Sequence, residues 1–260
     1  MRRLRSPAVA VVALIGALAF LPAGAVAQTA DTATVDMAAI GALERMGVYL
    51  RTLKAFQVVA SVTTDEVLVD GQRIQLASRV DMVAHAPNKI FAELTSDRKQ
   101  RTLFYDGTTF SVWARRSNYY ASVPAPPTTA ELLTVLEEKY GFDVPLVDLF
   151  RWGKSSTDAV RLTSAMNIGP SQVEGVTCQQ YAFRQEGLDW QIWIQQGDYP
   201  LPRKLVLTTL TDEARPQASF VYTWNLAPSY NEATFVFTAP ADAKRIVLAE
   251  LNVATAGKKP

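Results

Sequence analysis

From Phe56 to Phe237, apolar residues recur at every second position in segment after segment, and this period confines the chain to a β-rich fold. Phe56, Val58, Ala60 and Val62 alternate with Gln57, Ser61 and Thr63. Asp70-Gly71 suits a tight hairpin turn, after which Ile74, Leu76, Val80 and Met82 alternate with Gln75, Arg79 and Asp81. Pro87-Asn88 breaks the run, and Ile90, Ala92 and Leu94 resume it. Leu103, Tyr105, the turn Asp106-Gly107, Phe110 and Val112 read as a further hairpin. The last third repeats the pattern: Tyr181 and Phe183, a turn at Glu186-Gly187, then Trp190, Ile192 and Ile194. Past Pro200 and Pro202 come Leu205 and Leu207, then Phe220, Tyr222 and Trp224, then Phe235 and Phe237. Successive strand residues point to opposite faces. The expectation is therefore a long antiparallel meander of roughly nine to eleven strands with one apolar face.

Three helices are predicted around this sheet. Ala39, Leu43, Met46, Leu50 and Leu53 form one apolar stripe within Val35–Ala55, with Glu44, Arg45, Arg51 and Lys54 off it. Thr128 and Glu131 fit a capping box opening a helix to about Tyr140, and Gly141 can end it. A short third helix is predicted from Pro145 to Gly153, carrying Leu146, Leu149 and Phe150.

The N-terminus reads as an export signal. Arg2, Arg3 and Arg5 precede the charge-free run Ala8–Leu21, and Ala25 and Ala27 supply a small-x-small cleavage pattern. The run falls short of the ~20 residues that span hydrocarbon. We expect a signal peptide at 1–27, a leader at 28–34, one domain at 35–253 and a loose tail at 254–260. Cleavage after Ala27 removes three arginines and no acid, so the formal charge of +1 becomes −2. Near-neutrality supplies no basic footprint for nucleic acid or an anionic membrane. With one cysteine, Cys178, no internal disulfide can form, and the residue reads as a small buried hydrophobe.

A sheet this wide tends to curl or close. Two interiors fit the same alternation: one filled by side chains, and one leaving an apolar cavity beneath the helices. The period does not choose between them.

Several stretches resemble the periplasmic lipoprotein carrier LolA and its relatives, which include LolB and mycobacterial lipoproteins that carry lipids. Asp81 to Ile90, with its Pro87-Asn88 turn, is similar to the carrier's strand, Pro-Asn turn and strand. Asp106-Gly107 before Thr109 to Val112 resembles its Asp-Gly hairpin, and Phe235 to Pro240 its closing Phe-x-Phe-x-x-Pro strand. The likeness runs from about Met37 to Val247, and is closer still to an uncharacterised family of predicted periplasmic proteins in that superfamily. It implies an α+β fold: a curved antiparallel sheet, or incomplete β-barrel, with helices over its open face and an apolar cavity for acyl chains. The carrier's lid-holding Arg stands before the Pro of that turn. Here the position is Ala86, with His85 before it, so lid control by that Arg does not transfer. His85 itself reads as an exposed turn residue.

On this basis the expected cavity lining is Val58 and Val62; Leu76, Val80 and Met82; Ile90 and Leu94; Phe110 and Val112; Trp190 and Ile192; Leu205 and Leu207; and Phe220, Tyr222 and Trp224. Leu132, Leu136, Leu149 and Phe150 are expected on the lid side. The expected cargo is a lipid or acylated lipoprotein held by a monomer; the alternative is an envelope-sensing module that binds a protein and no lipid. Arg115, Arg116, Tyr119 and Tyr120 cluster at a hairpin end and would suit such an interface. Trp113 and Trp193 fall on the face opposite the lining. No catalytic, cofactor or metal site is expected. His85 is the lone histidine, no Gly-x-Ser-x-Gly elbow occurs, and Asp65-Glu66, Glu137-Glu138 and Asp212-Glu213 are neighbours rather than facing pairs.

Overall fold

Asp70 and Gly71 turn the chain between its two longest strands, β1 (Ala55–Val67) and β2 (Arg73–His85), whose pairing runs unbroken from Ala55↔His85 to Val67↔Arg73. The computed structural model describes residues 35–142, 144–152 and 162–251. The meander continues through β3 (Lys89–Ser96), β4 (Gln100–Tyr105), β5 (Thr109–Ala114) and β6 (Tyr119–Pro124). Two helices follow, α2 (Thr129–Tyr140) and α3 (Asp148–Arg151), after the opening helix α1 (Met37–Thr52). The chain then returns as β7 (Leu162–Val173), β8 (Val176–Gln185), β9 (Leu188–Gln195), β10 (Pro202–Thr209) and β11 (Gln217–Asn225), with a two-residue β12 (Lys244–Arg245) near its end.

These strands form one mainly antiparallel, curved and unclosed sheet in the order β12-β6-β5-β4-β3-β2-β1-β11-β10-β9-β8-β7. The last-third meander therefore runs back to β1, and the sheet has twelve strands among the described residues rather than nine to eleven.

The helices start where side chains can satisfy the free amides of a first turn. Asp36 accepts from the amide of Ala38 (2.8 Å) and fixes the start of α1. Thr128 accepts from the amide of Glu131 (3.3 Å), and Gly141 closes α2 at φ +57°. Predicted bounds hold for α2, while α1 is shorter at both ends. The third helix is a single turn, because Pro145–Val147 form a bend before it. Gly153, its predicted stop, lies outside the described residues, as do the proposed signal peptide, leader and tail.

One strand expectation fails. Phe235 and Phe237 do not enter the sheet: Glu232–Phe235 is a 3-10 turn capped by Asn231. The segment packs instead on the outer face of β3–β6. Phe237 lies 5.2 Å from Phe104, 6.3 Å from Trp113 and 5.1 Å from Tyr120, ring to ring. Three outer-face aromatics offer a better apolar partner than a free sheet edge does. Lys244 and Arg245 then pair in parallel with Tyr119 and Tyr120 of β6. Leu251 donates its amide to the Lys139 carbonyl at the end of α2 (2.7 Å), beside the Lys139–Glu250 ion pair (2.9 Å). The chain thus runs over the outer face, along β6 and on to the end of α2.

Candidate functional site

Strand register assigns every expected lining residue to one face. Val58 pairs with Met82 on one side and Trp224 on the other, and Ala60 with Val80 and Tyr222. Met82 leads to Ala92, Leu103, Val112 and Ala121. Val62 leads to Phe220, Leu205, Ile192 and Tyr181. All sixteen lie on this inner face, and Trp113 and Trp193 lie on the outer one. The face is not uniform. Val58, Val62, Val80, Met82, Ile90, Phe110, Ile192, Leu205 and Tyr222 are buried. Leu76, Leu94, Val112, Trp190, Leu207, Phe220 and Trp224 are half-buried.

The buried part is packed by helices. Ala39, Met46 and Leu50 of α1, Leu132, Leu133 and Leu136 of α2, and Leu149 of α3 belong to the same apolar cluster as the inner strand residues. Phe150 of α3 meets Phe56 at 6.1 Å, and Phe56 meets Trp224 at 5.4 Å. Between α2 and β3–β5, Ile90, Leu103, Tyr105, Phe110, Leu132 and Val144 enclose a void of about 10 Å³. That is at the lower bound for one water. Side chains fill the space around this void, and Ile90 and Phe110 are buried beside it.

Both ends of α2 are tied. Thr129 donates its amide and hydroxyl to the Pro87 carbonyl (3.1 Å each), and Leu251 holds the other end. The Pro87-Asn88 turn thus grips α2 through a backbone carbonyl. That turn is itself tight against the next hairpin: a Cβ on Gly107, at φ +98°, would come within 2.5 Å of Asn88. His85 is half-buried rather than exposed. Its ring meets Tyr230 at 5.7 Å, and its Nδ1 has no hydrogen-bond partner among the described residues.

Polar groups are few on the buried part of the inner face, whereas Thr64, Glu66, Ser78 and Ser96 fall on the same face toward its open end. The Tyr105 hydroxyl donates to the Pro126 carbonyl (2.6 Å), and burial, then the charges of Glu131 and Asp106, push its phenol up to about 12. Burial, then the charge of Asp148, raises the Tyr222 phenol as well. Desolvation raises the carboxyl of Asp148 against the pull of Arg151, although the residue as a whole is solvent-accessible. The Trp224 indole donates to the Pro202 carbonyl (2.8 Å), so its polar edge is satisfied. Arg101 continues the inward period of Leu103 and Tyr105 and is exposed. Sequence reasoning passed over Arg101 and Asp148; for Arg101 the alternation itself carried the signal.

The polar hairpin end expected as an interface is largely engaged within the chain. Arg115 pairs with Glu93 (3.5 Å), donates to Thr102 (3.1 Å) and stacks on Trp113 at 4.9 Å. Arg116 donates to the Asp97 carbonyl, and Tyr120 packs on Phe237. Only Tyr119 of the four aromatic and basic residues lacks such a contact among the described residues, at 39% exposure. Cys178 is fully buried with Val173 and Trp193 on the outer face, and burial raises its thiol. No cluster of three or more metal-ligating side chains occurs among the described residues, and no described helix is long and apolar enough to cross a membrane.

A family model described as "Predicted periplasmic protein (DUF2092)" matches residues 39–249. No curated protein matches the chain. Among solved structures, lipoprotein LppX from Mycobacterium tuberculosis is similar at 11% identity and TM-score 0.46, covering 75% of this chain and 100% of its own. An uncharacterised conserved protein from Thermus thermophilus aligns at 13% identity and TM-score 0.45, over 81% of this chain and 99% of its own. A LolA superfamily protein from Nitrosomonas europaea aligns at 8% identity and TM-score 0.36, over 76% and 97% respectively.

Proposed function

The chain belongs to the DUF2092 family of predicted periplasmic proteins, and from that premise we propose that it is a periplasmic carrier or binding protein that holds lipid or lipoprotein acyl chains on the half-buried part of its inner face. The observation that carries this reading is the division of that face. Leu76, Leu94, Val112, Leu207 and Phe220 stay half-buried although they continue the rows of a close-packed core. Covering such a surface with an acyl chain is favourable by about 0.8 kcal/mol per methylene buried. In this reading the sheet is an incomplete barrel, α2 and α3 form its lid side, and the chain is exported with its signal peptide cleaved after Ala27. No step of chemistry is required of any side chain.

Native mass spectrometry of protein purified from its own periplasm tests the proposal directly. Co-purified lipid, released on denaturation, is expected. Uptake of a fluorescent fatty acid should be lost in Phe220→Asp while the circular dichroism spectrum is kept. A clean apo mass together with no uptake by the wild type would replace this reading with a protein-binding module.

A further inference from the structure

We infer that Arg101 is the head-group anchor of this site, and that the bound amphiphile carries an anionic head, a carboxylate or a phosphate. The inference rests on the acyl-binding reading above and adds the charge and the orientation of the cargo.

Arg101 occupies an inward position of β4, two residues from buried Leu103 and four from buried Tyr105. It faces Leu94 on β3 and Ala114 on β5, at the border of the half-buried surface. A cation there interrupts an otherwise apolar row running Arg101, Leu94, Val80, Ala60, Tyr222. Its neighbours in the same hairpins are engaged: Arg98 with Glu66 (3.2 Å), Arg115 with Glu93 and Thr102, Arg116 with the Asp97 carbonyl. The Arg101 side chain makes no ion pair or hydrogen bond among the described residues. Its methylene stem can lie along Leu94 while the guanidinium stays at the solvent border. A guanidinium presents a planar fork that takes two oxygens of one carboxylate or phosphate.

An acid of α3 bears on the other end of the row. Asp148 acts electrostatically on Tyr222, which sits four strands from Arg101. Strand spacing makes that roughly 19 Å along the sheet. An anionic head is drawn to the Arg101 end and repelled from the Asp148 end. The tail then runs inward over Leu94 toward Phe220 and Leu207.

The test is Nile red displacement from the full chain by palmitate and by methyl palmitate, and by phosphatidylglycerol and phosphatidylcholine, in wild type, Arg101→Gln and Arg101→Lys. Wild type should favour at least one anionic ligand over its uncharged or zwitterionic counterpart by about tenfold, the scale of one charge-assisted hydrogen-bonded pair. Arg101→Gln should erase that ratio and leave methyl palmitate and phosphatidylcholine unchanged, and Arg101→Lys should keep part of it. Whichever anionic ligand loses affinity identifies the head as carboxylate or phosphate. A wild type without preference, or an Arg101→Gln protein that keeps the wild-type ratio, overturns the anchor while leaving acyl binding intact. A wild type that takes up none of the four ligands overturns the acyl-binding reading, and the anchor with it.

Discussion

The inner face of the sheet has two parts built from the same alternation of residues. Beneath α2, Ile90, Leu103, Tyr105 and Phe110 meet Leu132 and Leu133 around a void of about 10 Å³. Toward the other ends of β2, β3, β10 and β11, Leu76, Leu94, Leu207 and Phe220 are left half-buried. Composition does not distinguish the two sets. What separates them is where a tied helix lies: α2 is fixed at Pro87 and again at Leu251 and Glu250. The apolar period determines which way a side chain points, and helix docking determines whether that side chain is buried in the core or left half-exposed.

Four measurements would break or sharpen this contrast. Leu136 of α2 is fully buried, so Leu136→Ala should cost about 2–5 kcal/mol in urea unfolding. A loss below about 1 kcal/mol would mean that the packed end is loose. Tyr105 gives that end an alkaline signature. Its phenol is raised from 10.0 to about 12, so its folded form holds a proton that the unfolded chain releases. That contribution is whole below pH 10 and is lost as pH rises from 10 to about 12. Tyr105→Phe should lessen the alkaline fall in stability, read by fluorescence-monitored unfolding at pH 9 and 11. Leu94→Ala, at the other part, should cost only about 1 kcal/mol in stability. It should weaken acyl uptake several-fold all the same, and an unchanged uptake curve would remove Leu94 from the site. The smallest change belongs to Glu250→Gln, since its pair with Lys139 is exposed on both sides. It should leave the urea midpoint within error, and a clear shift would show that the C-terminal segment grips α2 through charge rather than through its backbone.

Much of this was legible in the residues. The period of two placed all sixteen expected lining residues on one face, because each step along a strand reverses the side chain's direction. Thr128, Glu131 and Gly141 fixed α2, since caps act locally. Depth of burial was not legible, because it depends on helices distant in sequence. Phe235 and Phe237 show the same lesson in reverse: their spacing mimics a strand, but Asn231 caps a 3-10 turn and Phe104, Trp113 and Tyr120 receive Phe237. Outward-facing Phe91, Phe104 and Trp113 on adjacent strands were the available sign that something covers that surface. The bend at Pro145–Val147 likewise shortened α3, where apolar spacing alone predicted a longer helix.

An unclosed sheet has two borders, and each offers a ladder of free amides and carbonyls to any neighbouring chain. At β6 the returning C-terminal segment occupies the start of that ladder, pairing Lys244 and Arg245 with Tyr119 and Tyr120. At β7, Val35 bridges Ala165, and the strand then kinks between Asn167 and Gly169 and carries Pro170, which has no amide hydrogen to donate. Both borders of the twelve-strand sheet thus carry features that oppose stacking border to border into fibrils, even though the sheet never closes.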